Sequence, residues 1–294
     1  MTPTTDLSED AARLGVDHAA DAALGLAAAR VEIAVRRRDA PGRPGLVWLG
    51  GFRSDMTGTK AEAMVTTAAR LGLPSLRFDY SGHGESGGAF EEGTISRWTA
   101  EALAVLRART DGPQILVGSS MGGWVALRLV QELQRAGEAE RIAGLLLIAP
   151  APDFTDELME PAFTDAQRAA MARDGRILEP TPYSDEPNVI TAALVEDGRR
   201  NRVLDRPPHV GRPVRILQGM ADPDVPHTHA LRLVEALVLD DVAITLVRDG
   251  DHRLSREADI ALLERTIETL VGDIAQARAR PGAPAGSRAA TTAS

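Results

Sequence analysis

Two serines in this chain sit in the pattern Gly-x-Ser-x-Gly, an arrangement that can set up a hydroxyl as a nucleophile: Ser120 in Gly118-Ser119-Ser120-Met121-Gly122 and Ser86 in Gly84-Glu85-Ser86-Gly87-Gly88. The pattern alone does not choose between them. A nucleophile elbow needs a strand running into the serine and a helix running out of it, because that turn exposes Oγ and aims a helix N-terminus at the developing oxyanion. The apolar run 114–117 leads straight into Ser120, and the amphipathic stretch 122–136 leads straight out. Ser86 lies in a glycine-rich loop beyond Tyr80, and no helical pattern begins until about Ile95. Ser120 is the candidate nucleophile.

A serine hydroxyl is a weak nucleophile until a neutral imidazole takes its proton, and the imidazole needs a carboxylate to fix its tautomer. Six histidines compete for the role. His18 sits in the opening segment, His83 in the glycine loop and His209 among prolines. His227 and His229 open a helical stretch; with no third ligand nearby they read as polar helix-start residues, not as a metal pair. His252 follows the apolar run 243–247 through Arg248-Asp249-Gly250-Asp251 and is the candidate base. Asp222 and Asp224 both follow the run 214–217, and Asp222, closer to its end, is the candidate acid. Acyl transfer also needs oxyanion donors: the N–H of Met121, directly after Ser120, and the N–H of Phe52 in Leu49-Gly50-Gly51-Phe52. The alternative for that second loop is a plain glycine turn. Asp79 reads as a tie within the turn 77–86, not as a catalyst.

The elements that must position these groups are legible as alternating patterns. Strands are expected at 30–37, 45–49, 75–78, 114–117, 144–148, 214–217 and 243–247, and helices at 60–71, 95–109, 122–136, 228–239 and 256–277. Alternation of this kind, with most strands apolar throughout, implies an α/β domain over 29–279 with a mostly parallel sheet covered by helices on both faces. Ligands in such sheets sit beyond the carboxyl ends of the strands. The stretch 151–213 shows helical pieces and no convincing strand, so it is expected to be a helical lid inserted over that edge. Residues 1–28 are Ala-rich with scattered acids, compatible with a frayed helix or disorder, and 280–294 reads as a disordered tail.

Composition narrows the partners. The chain has 294 residues, no cysteine and a net charge of −9, which excludes disulfides and thiolate-bound metals and argues against a nucleic-acid partner. The apolar run 142–151 is too short to span a bilayer. The first thirty residues carry Asp6, Glu9, Asp10, Asp17 and Asp21 where a targeting segment would be basic, and the expected location is cytoplasmic.

The segments Arg77-Phe78-Asp79-Tyr80-Ser81-Gly82-His83-Gly84-Glu85-Ser86, 112–124, Gly219-Met220-Ala221-Asp222 with Val225-Pro226, and Asp251-His252-Arg253 resemble the α/β-hydrolase-domain family. Within it they are similar to the branch containing a mitochondrial thioesterase that acts on palmitoylated proteins and also cleaves acyl glucuronides. The likeness covers about 45 to 274. The order Ser120, Asp222, His252 matches the family's order of nucleophile, acid and base. The resemblance implies an α/β-hydrolase fold and a serine hydrolase that cleaves carboxylic esters or thioesters, of a small molecule or an acylated protein, without metal or cofactor. Many relatives have His-Gly where this chain has Gly50-Gly51. Two other readings remain open: the same triad turned on a carbon–carbon or peptide bond, and a binding protein that sequesters a hydrophobic ligand. In the lid, Phe154, Leu158, Met159, Phe163, Met171, Leu178 and Tyr183 are candidates to line an acyl pocket or simply to hold the lid to the body. Its arginines 173, 176, 199, 200, 202, 206 and 212 would attract an anionic leaving group or remain solvated surface.

Overall fold

Apolar runs such as Gly45–Leu49 and Ile142–Ile148 are buried along their whole length, as strands covered on both faces must be. A computed structural model describes residues 7–181 and 184–279. The chain runs β1 (Asp10–His18), β2 (Ala29–Arg38), β3 (Gly45–Leu49), α1 (Thr59–Arg70), β4 (Ser75–Phe78), α2 (Ile95–Arg109), β5 (Gln114–Ser119), α3 (Met121–Arg135) and β6 (Ile142–Ile148). The insertion follows: a π-helical turn at Thr155–Met159, α4 (Glu160–Ala162), α5 (Asp165–Asp174), β7 (Arg176–Thr181), β8 (Ser184–Thr191) and α6 (Ala192–Arg200). The chain then closes with β9 (Val214–Gly219), α7 (His227–Ala236), β10 (Val242–Val247) and α8 (Glu257–Ala279).

Eight strands form one sheet in the order β1-β2-β4-β3-β5-β6-β9-β10. From β4 to β10 all pairings are parallel, whereas β2 runs antiparallel to both β1 and β4. One apolar layer is closed by α2, α3 and α7, with Trp98, Trp124 and Leu233 buried in it. The other is closed by α1 and α8, through residues such as Met64 and Leu270. The carboxyl ends of β3, β5, β9 and β10 therefore meet at one edge, and the insertion lies between β6 and β9 in the chain. Among the described residues no helix is long and apolar enough to cross a membrane.

Two expectations are corrected. Within 1–28, Asp10–His18 is neither a frayed helix nor disordered; it is strand β1, paired over nine residues with β2. Its alternation is faint because the strand is an edge: Val16 and His18 turn inward and are buried, while Arg13 and Asp17 face solvent. The insertion contains a β-hairpin as well as helices. Pro180 and Pro187 disguise it, since proline argues against a central strand yet is tolerated in a two-stranded ribbon whose outer edges need no donor. The tail 280–294 and Tyr183 lie outside the described residues.

Candidate active site

Strand β5 delivers Ser120 to the carboxyl edge and α3 begins immediately after it. The backbone at Ser120 has φ 54° and ψ −117°, a strained conformation for a non-glycine residue. The flanking glycines are required sterically: a Cβ on Gly118 would lie 2.4 Å from the Gly122 carbonyl oxygen, and one on Gly122 would lie 2.0 Å from the Leu49 carbonyl oxygen. The turn is tied by the Ser120 N–H donating to the Ile148 carbonyl at 2.9 Å and the Gly123 N–H donating to the Ser120 carbonyl at 2.9 Å.

His252, in the loop after β10, brings Nε2 to 3.0 Å from Ser120 Oγ and Nδ1 to 2.8 Å from Asp222 Oδ2. Because a carboxylate only accepts, Nδ1–H is the donor toward Asp222, which leaves Nε2 facing the serine hydroxyl. The Asp222 carboxylate is buried in a cage of donors. Oδ1 accepts from the N–H groups of Asp224 (2.9 Å) and Val225 (2.8 Å), and Oδ2 also accepts from Gln218 Nε2 at 3.2 Å. Asp224 is exposed and contributes its backbone N–H here.

Asp222, Asp224 and His252 each offer one ligand atom within 4.8 Å of the others, a spacing that could hold a cation. The donors already on both Asp222 oxygens, and the His252 ring turned to bridge Asp222 and Ser120, use those lone pairs for hydrogen bonding instead.

The loop Leu49-Gly50-Gly51-Phe52 reaches the serine closely. A Cβ on Gly51 would lie 3.4 Å from Ser120 Cβ and 3.3 Å from the Ser119 carbonyl oxygen. Ser54 caps that turn, donating from both N–H (3.2 Å) and Oγ (2.8 Å) to the Gly51 carbonyl. In a trans peptide the C=O and N–H point in opposite directions, so fixing the Gly51 carbonyl also fixes the Phe52 N–H. Met121 occupies the first position of α3, where a helix leaves its N–H groups without intrahelical partners. The Phe52 ring packs edge-on against Phe90, Trp98 and, from the insertion, Phe154.

Other candidates from the sequence are engaged elsewhere. Ser86 Oγ donates to the Asp79 carbonyl at 2.6 Å and accepts from the Ala34 N–H at 2.8 Å. The Asp79 carboxylate ties that turn together by accepting from the N–H groups of Met56 (2.7 Å) and Glu85 (2.8 Å). His18 pairs with Glu101, His209 with Asp240, and His229 Nε2 donates to the Pro152 carbonyl at 2.7 Å, fastening α7 to the start of the insertion. Burial holds the His229 imidazole below its usual range, which suits a neutral anchor.

Of the insertion's side chains, Phe154, Leu158 and Met159 pack on the main core, whereas Phe163 and Met171 join a separate small core with Ile177, Ile190 and Val195, and Leu178 is exposed. Arg173, Arg176, Arg199, Arg200 and Arg202 are paired with carboxylates. Residues absent from the sequence reading also act on the site. Gln218 supports Asp222, and Lys60 Nζ donates to the carbonyl of Arg253, next to His252, at 2.6 Å. A glutamine directly after the apolar pair Ile216-Leu217 of β9 and a solitary lysine were the only signals for them.

The alpha/beta hydrolase family profile matches residues 40–265. The chain is 34% identical over 229 residues, 78% of its length and 73% of the relative's, to the mitochondrial palmitoyl-protein thioesterase ABHD10 of Pongo abelii. A crystal structure from Agrobacterium vitis S4 superposes with a TM-score of 0.84 at 53% identity, covering 90% of this chain and 99% of that one. Mouse alpha/beta hydrolase domain-containing protein 10 gives 0.76 at 30% identity, with 90% and 99% covered. These findings overturn the cytoplasmic expectation, because the curated relatives are named mitochondrial. The acidic residues used for that expectation include Asp10 and Asp17 of β1, whose charges belong to the surface of a folded strand and carry no address.

Proposed function

The chain belongs to the alpha/beta hydrolase family, and from that premise we propose a serine hydrolase of carboxylic esters or thioesters that works through an acyl-enzyme on Ser120. The observation that carries the reading is the hydrogen-bonded series Asp222 Oδ2, His252 Nδ1 and Nε2, Ser120 Oγ, at 2.8 and 3.0 Å. Ser120 Oγ attacks the acyl carbonyl carbon as its proton passes to His252 Nε2, and Asp222 holds the ring and stabilises the imidazolium. The tetrahedral oxyanion is received by the N–H groups of Met121 and Phe52. Its collapse expels the alcohol or thiol, which takes the proton from His252. Water, activated by the same imidazole, then attacks the acyl-enzyme and releases the acid. The chemistry calls for neither metal nor cofactor.

Relatives named palmitoyl-protein thioesterase and the apolar side chains of Phe154, Leu158 and Met159 favour a medium or long acyl chain, on a small molecule or on a protein. The pairing of most lid arginines weighs against an anionic leaving group as the main determinant. A fluorophosphonate probe should label the protein at Ser120. Failure to label would abandon the hydrolase reading for one of ligand sequestration. Acyl thioesters and p-nitrophenyl esters of graded length test the substrate: each buried methylene contributes about 0.8 kcal/mol, so kcat/KM should climb roughly fourfold per carbon until the pocket is full. A steady decline from acetyl upward would remove the acyl-pocket assignment.

A further inference from the structure

His83 is a buried imidazole outside the Asp222–His252–Ser120 series, and both of its ring nitrogens are committed. Its Nε2 lies 3.1 Å from the backbone nitrogen of Arg53, which can only donate. Its Nδ1 lies 3.0 Å from the Ser81 carbonyl, which can only accept. The two contacts fix the tautomer: His83 is neutral, with its proton on Nδ1 and a lone pair on Nε2 turned to the residue after Phe52. Burial lowers the tendency of this ring to protonate, in keeping with that state.

The anchor behind the ring is rigid. Ser81 is held through its N–H, which donates to Glu101 Oε2 at 2.8 Å, and through its carbonyl, which also accepts from Trp98 Nε1 at 3.2 Å. Glu101 Oε1 meets His18 Nε2 at 2.8 Å, tying the assembly to β1. Phe90 and Trp98 contact the faces and edges of the ring at centroid distances of 5.1 and 5.3 Å. At the other end of the series, Arg53 has φ 56°, a left-handed backbone that a non-glycine residue adopts only when its surroundings impose it. The Arg53 N–H is the group His83 grips, and it belongs to the peptide that immediately follows the Phe52 donor.

We propose that His83 is a positioning residue for the oxyanion loop: by accepting the Arg53 N–H it imposes the left-handed turn at Arg53 and, with the Ser54 cap on the Gly51 carbonyl, keeps the Phe52 N–H aimed at the reacting carbonyl. This rests on the proposed serine-hydrolase reading. It assigns a role to the segment around Ser81-Gly82-His83-Gly84, which the triad leaves unused.

The test compares two amides of opposite reach. In His83→Gln the side-chain oxygen takes the place of Nε2 and still accepts from Arg53. In His83→Asn the amide takes the place of Nδ1, keeps the Ser81 contact and leaves the Arg53 N–H unmet. His83→Asn should lose about 10²-fold in kcat with KM within threefold, the size of losing one oxyanion donor, whereas His83→Gln should stay within about fivefold of wild type. Equal losses in the two variants, or a loss in His83→Asn carried by KM alone, overturn the proposal. Thermal melts accompany both. If His83→Asn does not fold, the Gln variant decides: kcat within fivefold of wild type sustains the role, and kcat below one-tenth of it overturns the role. Failure of the underlying reading is distinguishable, because Ser120→Ala would then retain activity; an inactive Ser120→Ala with a fully active, folded His83→Asn refutes only the role of His83.

Discussion

Ser120 Oγ and His252 Nε2 stand 3.0 Å apart although 132 positions separate them in the chain. The parallel sheet makes this possible by ending β5 and β10 at the same edge, each followed by a loop or helix that carries one of the two residues.

Replacing Ser120 by alanine should lower kcat by on the order of 10⁶, because only the nucleophile forms the acyl intermediate. Ser86→Ala should leave kcat nearly unchanged while costing about 1–2 kcal/mol of stability, since Ser86 Oγ both donates to Asp79 and accepts from Ala34. Steady-state kinetics with urea unfolding of both variants separates the two effects. An inactive Ser86→Ala beside an active Ser120→Ala would reverse the assignment.

Asp222→Asn should reduce kcat by roughly 10⁴ through the wrong histidine tautomer. Asp224→Asn should stay within about threefold, because Asp224 serves the buried carboxylate through its backbone N–H, which the substitution keeps. Circular dichroism confirms that each variant is folded before the rates are compared. The opposite ranking moves the acid to Asp224.

Asp153, buried at the start of the insertion with φ 55°, accepts the N–H groups of Val203 (2.8 Å) and Leu204 (2.9 Å). Burial pushes its carboxyl from 3.8 up to about 6, against the pull of those two N–H groups. Between these values the folded state binds more protons than the unfolded one, so stability falls as pH rises through the window. Relative to Asp153→Asn, which stays neutral, the wild type should lose up to ~3 kcal/mol between about pH 4 and pH 6.5. Urea titrations across that range read the difference, and parallel curves for the two proteins would contradict it.

Lys60 is the only lysine of the chain, so its titration can be followed in isolation. Burial first, and then the nearby Arg253 guanidinium, lower its ammonium to about 8. In protein labelled with ¹³C-lysine the single ε-carbon resonance should titrate with a midpoint near 8. A midpoint of about 10 or above would place the ammonium in ordinary solvent and undo the Lys60–Arg253 tether.

The sequence by itself determined the alternation of strand and helix in the core and the placing of Ser120, and not Ser86, between a strand and a helix, because those depend on neighbours within one turn or one strand. Apolar runs at 114–117 and 214–217 mark central strands however the rest of the chain folds, and with them the positions of Asp222 and His252 just past strand ends. Edge elements were less legible. β1 buries only alternate side chains and β7–β8 carries prolines, so the local pattern in both is diluted by solvent-facing residues that any loop could hold. The support given to the site belonged wholly to the tertiary structure. Gln218 lies beside Asp222 only because β9 ends where the 222–225 loop folds back, Lys60 reaches Arg253 across 193 positions, and His83 meets Arg53 across 30. The division of the insertion's apolar residues, Phe154 on the main core and Phe163 in a separate small one, had the same origin. A hydrogen-bond acceptor or an apolar ring carries no mark in sequence of which distant group it will meet; burial decides that, by penalising every polar atom left unpaired and every apolar surface left uncovered.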